Sequence, residues 1–170
     1  MHSSTNASFE SLSPRDGVAD DPFVVIAEDD EQLRNLLADT LVEDGCVVRT
    51  AADGRDLLAM LSAVSRAEMP MPSLIVMDVR MPRCSGIDVL TALRLAEWDV
   101  PVVIITAFGD GELHATAGTL GAAAVLDKPF DLDTLRAVVR ILSLPLATVQ
   151  RGDDDEPTLE SAGPKKGDRS

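Results

Sequence analysis

The chain has 170 residues, 45% hydrophobic and 26% charged, with a formal net charge of −14. That length suffices for one domain with a real core, while the acidity argues against nucleic acid or an anionic membrane as primary partner, since phosphate contacts need clustered Lys and Arg. Two cysteines, Cys46 and Cys84, exclude a disulfide framework and point to a reducing cytoplasm, and neither a membrane-spanning apolar run nor a signal-peptide pattern is present.

Residues 1–22 are rich in Ser, Asp and Pro without periodicity, which predicts a disordered leader. The first apolar run, Val24 to Ala27, reads as a strand and ends in Glu28-Asp29-Asp30. Leu33, Leu36, Leu37 and Leu41 then keep one helical face, with Gly45 as the stop. Asp30 is better read as that helix's cap than as a ligand. Cys46 to Thr50 is a short second strand, and Leu57, Met60, Leu61 and Val64 repeat at helical spacing before Met69-Pro70-Met71-Pro72. A third strand, Leu74 to Met77, ends in Asp78. The loop Arg80 to Gly86 and a helix over Ile87–Ala96 follow.

Pro101 opens the fourth strand, where a missing donor is tolerated; its run Val102 to Ile105 ends in Thr106. Gly109 to Leu120, with Thr116, Gly118 and Thr119, predicts a weak and loosely packed helix. His114 within it reads as exposed and inert. A fifth strand, Ala123 to Leu126, ends in Asp127-Lys128, and a last helix covers Leu132 to Leu142. Residues 146–170, with four consecutive acids from Asp153 to Glu156, predict a disordered tail, which leaves 23–145 as the folded unit. The alternation of strands and helices predicts an α/β fold with a doubly wound parallel sheet.

In such a sheet the strand carboxyl ends share one edge, where ligands bind. Glu28, Asp29, Asp78, Thr106 and Lys128 would therefore meet there. Lys128 is the only lysine before Lys165 in a chain that otherwise uses arginine. A compact, flexible ammonium suits a phosphoryl group or a carboxylate cluster. Taken alone, Asp78 is most simply a cap or turn former; the company of Glu28, Asp29 and Lys128 argues otherwise. Three clustered carboxylates repel unless a cation joins them, and hard oxygen donors favour Mg²⁺. Cys84 reads as an incidental small residue rather than a redox-sensitive thiol.

These motifs in this order, Glu28-Asp29-Asp30, Asp78 with Gly86 eight positions on, Thr106-Ala107 and Lys128-Pro129-Phe130, resemble the receiver domain of bacterial response regulators across 23–145. The resemblance implies a flavodoxin-like (βα)5 fold with strand order 2-1-3-4-5. It implies Asp78 as phospho-acceptor and Thr106 as switch hydroxyl, with Lys128 on the phosphoryl group. Mg²⁺ would be held by Glu28, Asp29, Asp78 and the Arg80 backbone carbonyl. It also implies a sensor histidine kinase or histidine phosphotransfer protein as phosphodonor and a cis bond at Lys128–Pro129. Chemically, an Asp carboxylate can attack a phosphoryl group to give an acyl phosphate. Gly86 would let its loop turn sharply, and Ala107 would leave the donor room.

Two departures from the family pattern matter: Val125 stands where an aromatic is usual, and Arg80 and Phe108 are bulky at sites that influence phosphoryl lifetime. Because little chain follows Leu142 and Arg151 to Ser170 lacks apolar periodicity, the expectation is a stand-alone cytoplasmic phosphoswitch that acts on a downstream protein, without direct DNA or membrane binding. The partner face would be the fourth helix, fifth strand and last helix, and a homodimer stays open. The alternative is a receiver-like docking module independent of phosphorylation. A phosphatase of unrelated α/β fold would need an acid shortly after Asp78, where Arg80 stands.

Overall fold

In a computed structural model of the protein, the described residues are 21–107, 109 and 111–143. The expected leader and tail therefore lie outside them, apart from Asp21 and Pro22, as does Phe108. The described elements run β1 (Phe23–Ala27), α1 (Glu31–Glu43), β2 (Val47–Ala51), α2 (Gly54–Ser65), β3 (Leu74–Asp78), α3 (Gly86–Leu95), β4 (Val102–Thr106), α4 (Gly111–Thr119), β5 (Ala124–Asp127) and α5 (Leu132–Ser143). The strands form one parallel sheet in the order β2-β1-β3-β4-β5, the flavodoxin-like arrangement expected.

Side-chain alternation along each strand divides the core in two. Val25, Ala27, Ile75, Met77, Val102 and Ile104 face α2, α3 and α4, packing with Leu57, Leu61, Val89, Leu90, Leu93 and Ala117. Val24, Ile26, Leu74, Val76, Val103 and Ile105 face α1 and α5, meeting Leu37, Leu41, Leu135 and Val139. Two covered faces explain why the inner strands read as unbroken apolar runs rather than alternating ones.

Local signals set the helix ends. Asp30 caps α1 by accepting from the Leu33 amide, and the chain leaves α1 through Gly45, whose φ of +87° suits glycine. Ser85 and Asp88 cap α3 reciprocally. α4 is the weakest helix, as expected: among its described residues Ala117 alone is buried. The other helices each bury at least two residues. No helix among the described residues is long and apolar enough to cross a membrane.

Candidate functional site

The chain reverses direction across the sheet at β1 and β3, and the carboxyl ends of these strands flank the crevice where such sheets bind ligands. Glu28 follows β1 and is 1% exposed; Asp78 ends β3 and is 4% exposed. Asp29 stands exposed at the mouth. Each of the three offers a carboxylate oxygen, and these atoms lie within 4.8 Å of one another. Two buried carboxylates side by side are costly unless countercharge is supplied.

Lys128 supplies it. From the end of β5 its Nζ donates to Glu28 Oε2 at 2.9 Å and to Asp78 Oδ2 at 2.6 Å. The remaining oxygens are also partnered: Glu28 Oε1 accepts from the Asp30 amide at 3.2 Å and Asp78 Oδ1 from the Arg80 amide at 2.8 Å. Burial pushes the Glu28 carboxyl above its ordinary value, with its Lys128 and Asp30 hydrogen bonds opposing the rise. Burial would depress Lys128, but the Asp78 and Glu28 carboxylates together outweigh it and hold the ammonium above its ordinary 10.5.

Backbone geometry brings the remaining groups in. Thr106 ends β4, is 1% exposed, and pairs in register with Asp127, while the Lys128 amide donates to the Thr106 carbonyl at 2.7 Å. The Lys128–Pro129 bond is cis. Gly86 is needed for close approach rather than for turning: a Cβ there would collide with the Asp78 carbonyl oxygen, and no positive φ is involved. The turn falls instead on Arg83, at φ +70°. Arg83 Nη1 reaches back 2.8 Å to Asp53 Oδ2, whose carboxylate also caps α2.

The family model of the response regulator receiver domain matches residues 24–140. The chain belongs to this family. The receiver is 38% identical over 119 residues to transcriptional regulatory protein PdtaR of Mycobacterium tuberculosis, covering 69% of this chain and 55% of that one. It therefore spans about half the length of this relative. To sporulation initiation phosphotransferase F of Bacillus subtilis it is 28% identical over 117 residues, covering 69% of this chain and 90% of that protein. Among solved structures, the receiver domain of Francisella response regulator 1452 aligns with TM-score 0.66 and 29% identity, over 72% of this chain and 97% of that one.

In the receiver, the side chains of Glu28, Asp29, Asp78 and Lys128 form one cluster, and Thr106 ends the neighbouring strand. Arg80, expected to contribute its carbonyl, donates its amide to Asp78 Oδ1. The carboxylate set fits Mg²⁺: hard oxygens from three side chains converge, with one ammonium against two buried charges. Cys84 is half-buried and burial raises its thiol pKa, which disfavours the reactive thiolate. His114, read as exposed and inert, is 39% exposed, and its Nε2 lies 3.0 Å from Asp127 Oδ1. Asp53 was missed as a support of the loop after Asp78, although Asp before Gly54 and an apolar run is a cap signal.

Proposed function

We propose that this receiver is a phosphorylation-controlled switch in which Asp78 accepts a phosphoryl group. The observation that carries the reading is the Lys128 ammonium shared between Glu28 and Asp78, with Asp29 completing the acidic cluster. An Asp78 oxygen attacks phosphorus and forms a P–O bond as the bond to the leaving group breaks, that group departing with the electron pair. A phosphohistidine on a sensor kinase or phosphotransfer protein supplies the phosphoryl group. Lys128, already in contact with Asp78, offsets charge on the incoming equatorial oxygens. Thr106 offers its hydroxyl to a phosphoryl oxygen. Exposed Ala107 leaves space for the donor.

Mg²⁺, bound by Glu28, Asp29 and Asp78 with the Arg80 carbonyl, would supply further positive charge at the phosphoryl oxygens. The receiver unit is assigned to 23–145, on the family match over 24–140 and elements from Phe23 to Ser143. Its output passes through a surface of α4, β5 and α5, where Ile141 is 69% exposed, to a downstream protein in the cytoplasm. The acidic composition of the chain supports a protein target over DNA. In this reading the chain is a signalling switch rather than an enzyme, assisting only its own phosphoryl gain and loss.

The test is labelling with acetyl phosphate. One base-labile phosphoryl group per chain, dependent on Mg²⁺, is expected. Absence of labelling together with intact Mg²⁺ binding would favour the phosphorylation-independent docking module, for which Val125 at the usual aromatic position is the one supporting departure.

A further inference from the structure

We propose that His114 and Asp127 form a clasp that pins Gly109 and the start of α4 to the end of β5, and that this clasp slows phosphoryl gain at Asp78. The proposal rests on the phosphoswitch reading above. His114 Nε2 and Asp127 Oδ1 are 3.0 Å apart, linking the second turn of α4 to the last residue of β5. Asp127 is the register partner of Thr106 and immediately precedes Lys128. The contact therefore ties α4 to the backbone that carries the switch hydroxyl's neighbour and the phosphoryl-binding lysine.

A second observation points to the same place. A Cβ added at Gly109 would fall onto the Asp127 carboxylate and the His114 ring. The Gly109 backbone thus lies directly against the pair, and the space a side chain there needs is already taken. Little else fixes this helix by burial, since Ala117 is its one buried described residue and Thr116, Gly118 and Thr119 are poor helix formers. A polar contact near its start therefore adds to what sets its position.

Lys128 is bonded directly to the Asp78 carboxylate, the group to which the phosphoryl would be added. A phosphoryl group drawing Thr106 toward it must move the chain that follows, and Gly109 in that chain is seated on the clasp. Both partners are substantially exposed, at 39% and 54%, so the contact biases the loop without locking it. Breaking it raises the fraction of chains with a mobile loop, and that fraction scales the labelling rate.

The experiment uses the full chain with His114→Ala, Asp127→Ala and His114→Gln, the last keeping a donor that can reach Asp127. Amide exchange over 109–119 is read first without phosphodonor. Exchange about two- to fivefold faster is expected in the two alanine variants, the factor that an exposed pair supplies, with His114→Gln near wild type. Labelling by acetyl phosphate and Mg²⁺ should accelerate by a similar factor in the alanine variants and return toward wild type in His114→Gln. Unchanged exchange in His114→Ala overturns the clasp. So does a His114→Gln variant as fast as His114→Ala, which would assign the effect to ring packing. Faster exchange with unaltered labelling overturns the regulatory part. If wild type and variants alike refuse the phosphoryl group while exchange responds as expected, the phosphoswitch reading fails and the contact remains structural.

Discussion

Removing the Lys128 ammonium isolates the electrostatic cost built into the site. Lys128→Met keeps a long apolar stem and deletes the charge that contacts both Glu28 and Asp78. The two carboxylates have oxygens within 4.8 Å. At an effective dielectric of about 20, unit charges at that separation repel by about 3.5 kcal/mol. The lysine side chain is 21% exposed, so water offsets part of this, and a net loss of about 2–3 kcal/mol is expected without divalent cation. Against a total stability of about 5–15 kcal/mol, such a loss is large. Because the folded-state pKa of Lys128 is raised, its contribution is fully present below the ordinary 10.5 and is lost only as pH rises through the folded value, so a neutral buffer reads all of it. Urea unfolding in chelator and in saturating Mg²⁺ provides the assay. Mg²⁺ should restore more than half of the loss in the variant and add less to wild type. A loss below about 0.5 kcal/mol, or one indifferent to Mg²⁺, would refute the reasoning.

Three further outcomes are expected. Asp53→Asn keeps a capping oxygen but loses the ion pair with Arg83. Hydrogen bonds from the Asp56 and then the Arg55 amide hold Asp53 below its ordinary 3.8, so its contribution is present above that pH and lost as pH falls through the lower folded value. The variant's melting temperature should therefore trail wild type at neutral pH, with the gap closing below 3.8, as followed by circular dichroism. Arg80→Ala and Phe108→Ala should each speed acyl-phosphate decay if these side chains shield it from water; unchanged or slower decay in both would exclude shielding. With beryllofluoride and Mg²⁺, amide shifts should cluster over Thr106–Leu120 and be smaller at Val125, because valine is short and stiff at χ1; shifts concentrated on β5 and α5 with Gly109–Leu120 silent would contradict this.

The parts of this protein legible in the sequence are those set by repeated or local signals. Val24 to Ala27, Leu74 to Met77 and Val102 to Ile105 read as strands because both sheet faces are covered, and Glu28, Asp78 and Thr106 closing them stand out as polar groups at the ends of apolar runs. The capping role of Asp30 was visible for the same reason, since a carboxylate before an amphipathic run has few other uses. Contacts across loops were not legible. That Arg83 rather than Gly86 makes the turn, and that Arg83 returns to Asp53, depends on a left-handed backbone at a residue type which rarely adopts it. His114 lies 13 positions from Asp127, and only the packing of α4 against β5 brings them together. The sharing of one ammonium between Glu28 and Asp78 likewise follows from register between strands distant in sequence, not from spacing.

The central claim is that Asp78 carries the phosphoryl group, and intact-mass measurement of wild type and Asp78→Asn tests it most directly. After acetyl phosphate and Mg²⁺, wild type should gain a single phosphoryl mass that is lost on mild alkaline treatment. Asp78→Asn should gain none while retaining the wild-type circular dichroism spectrum. A full phosphoryl adduct on a folded Asp78→Asn chain would contradict the account.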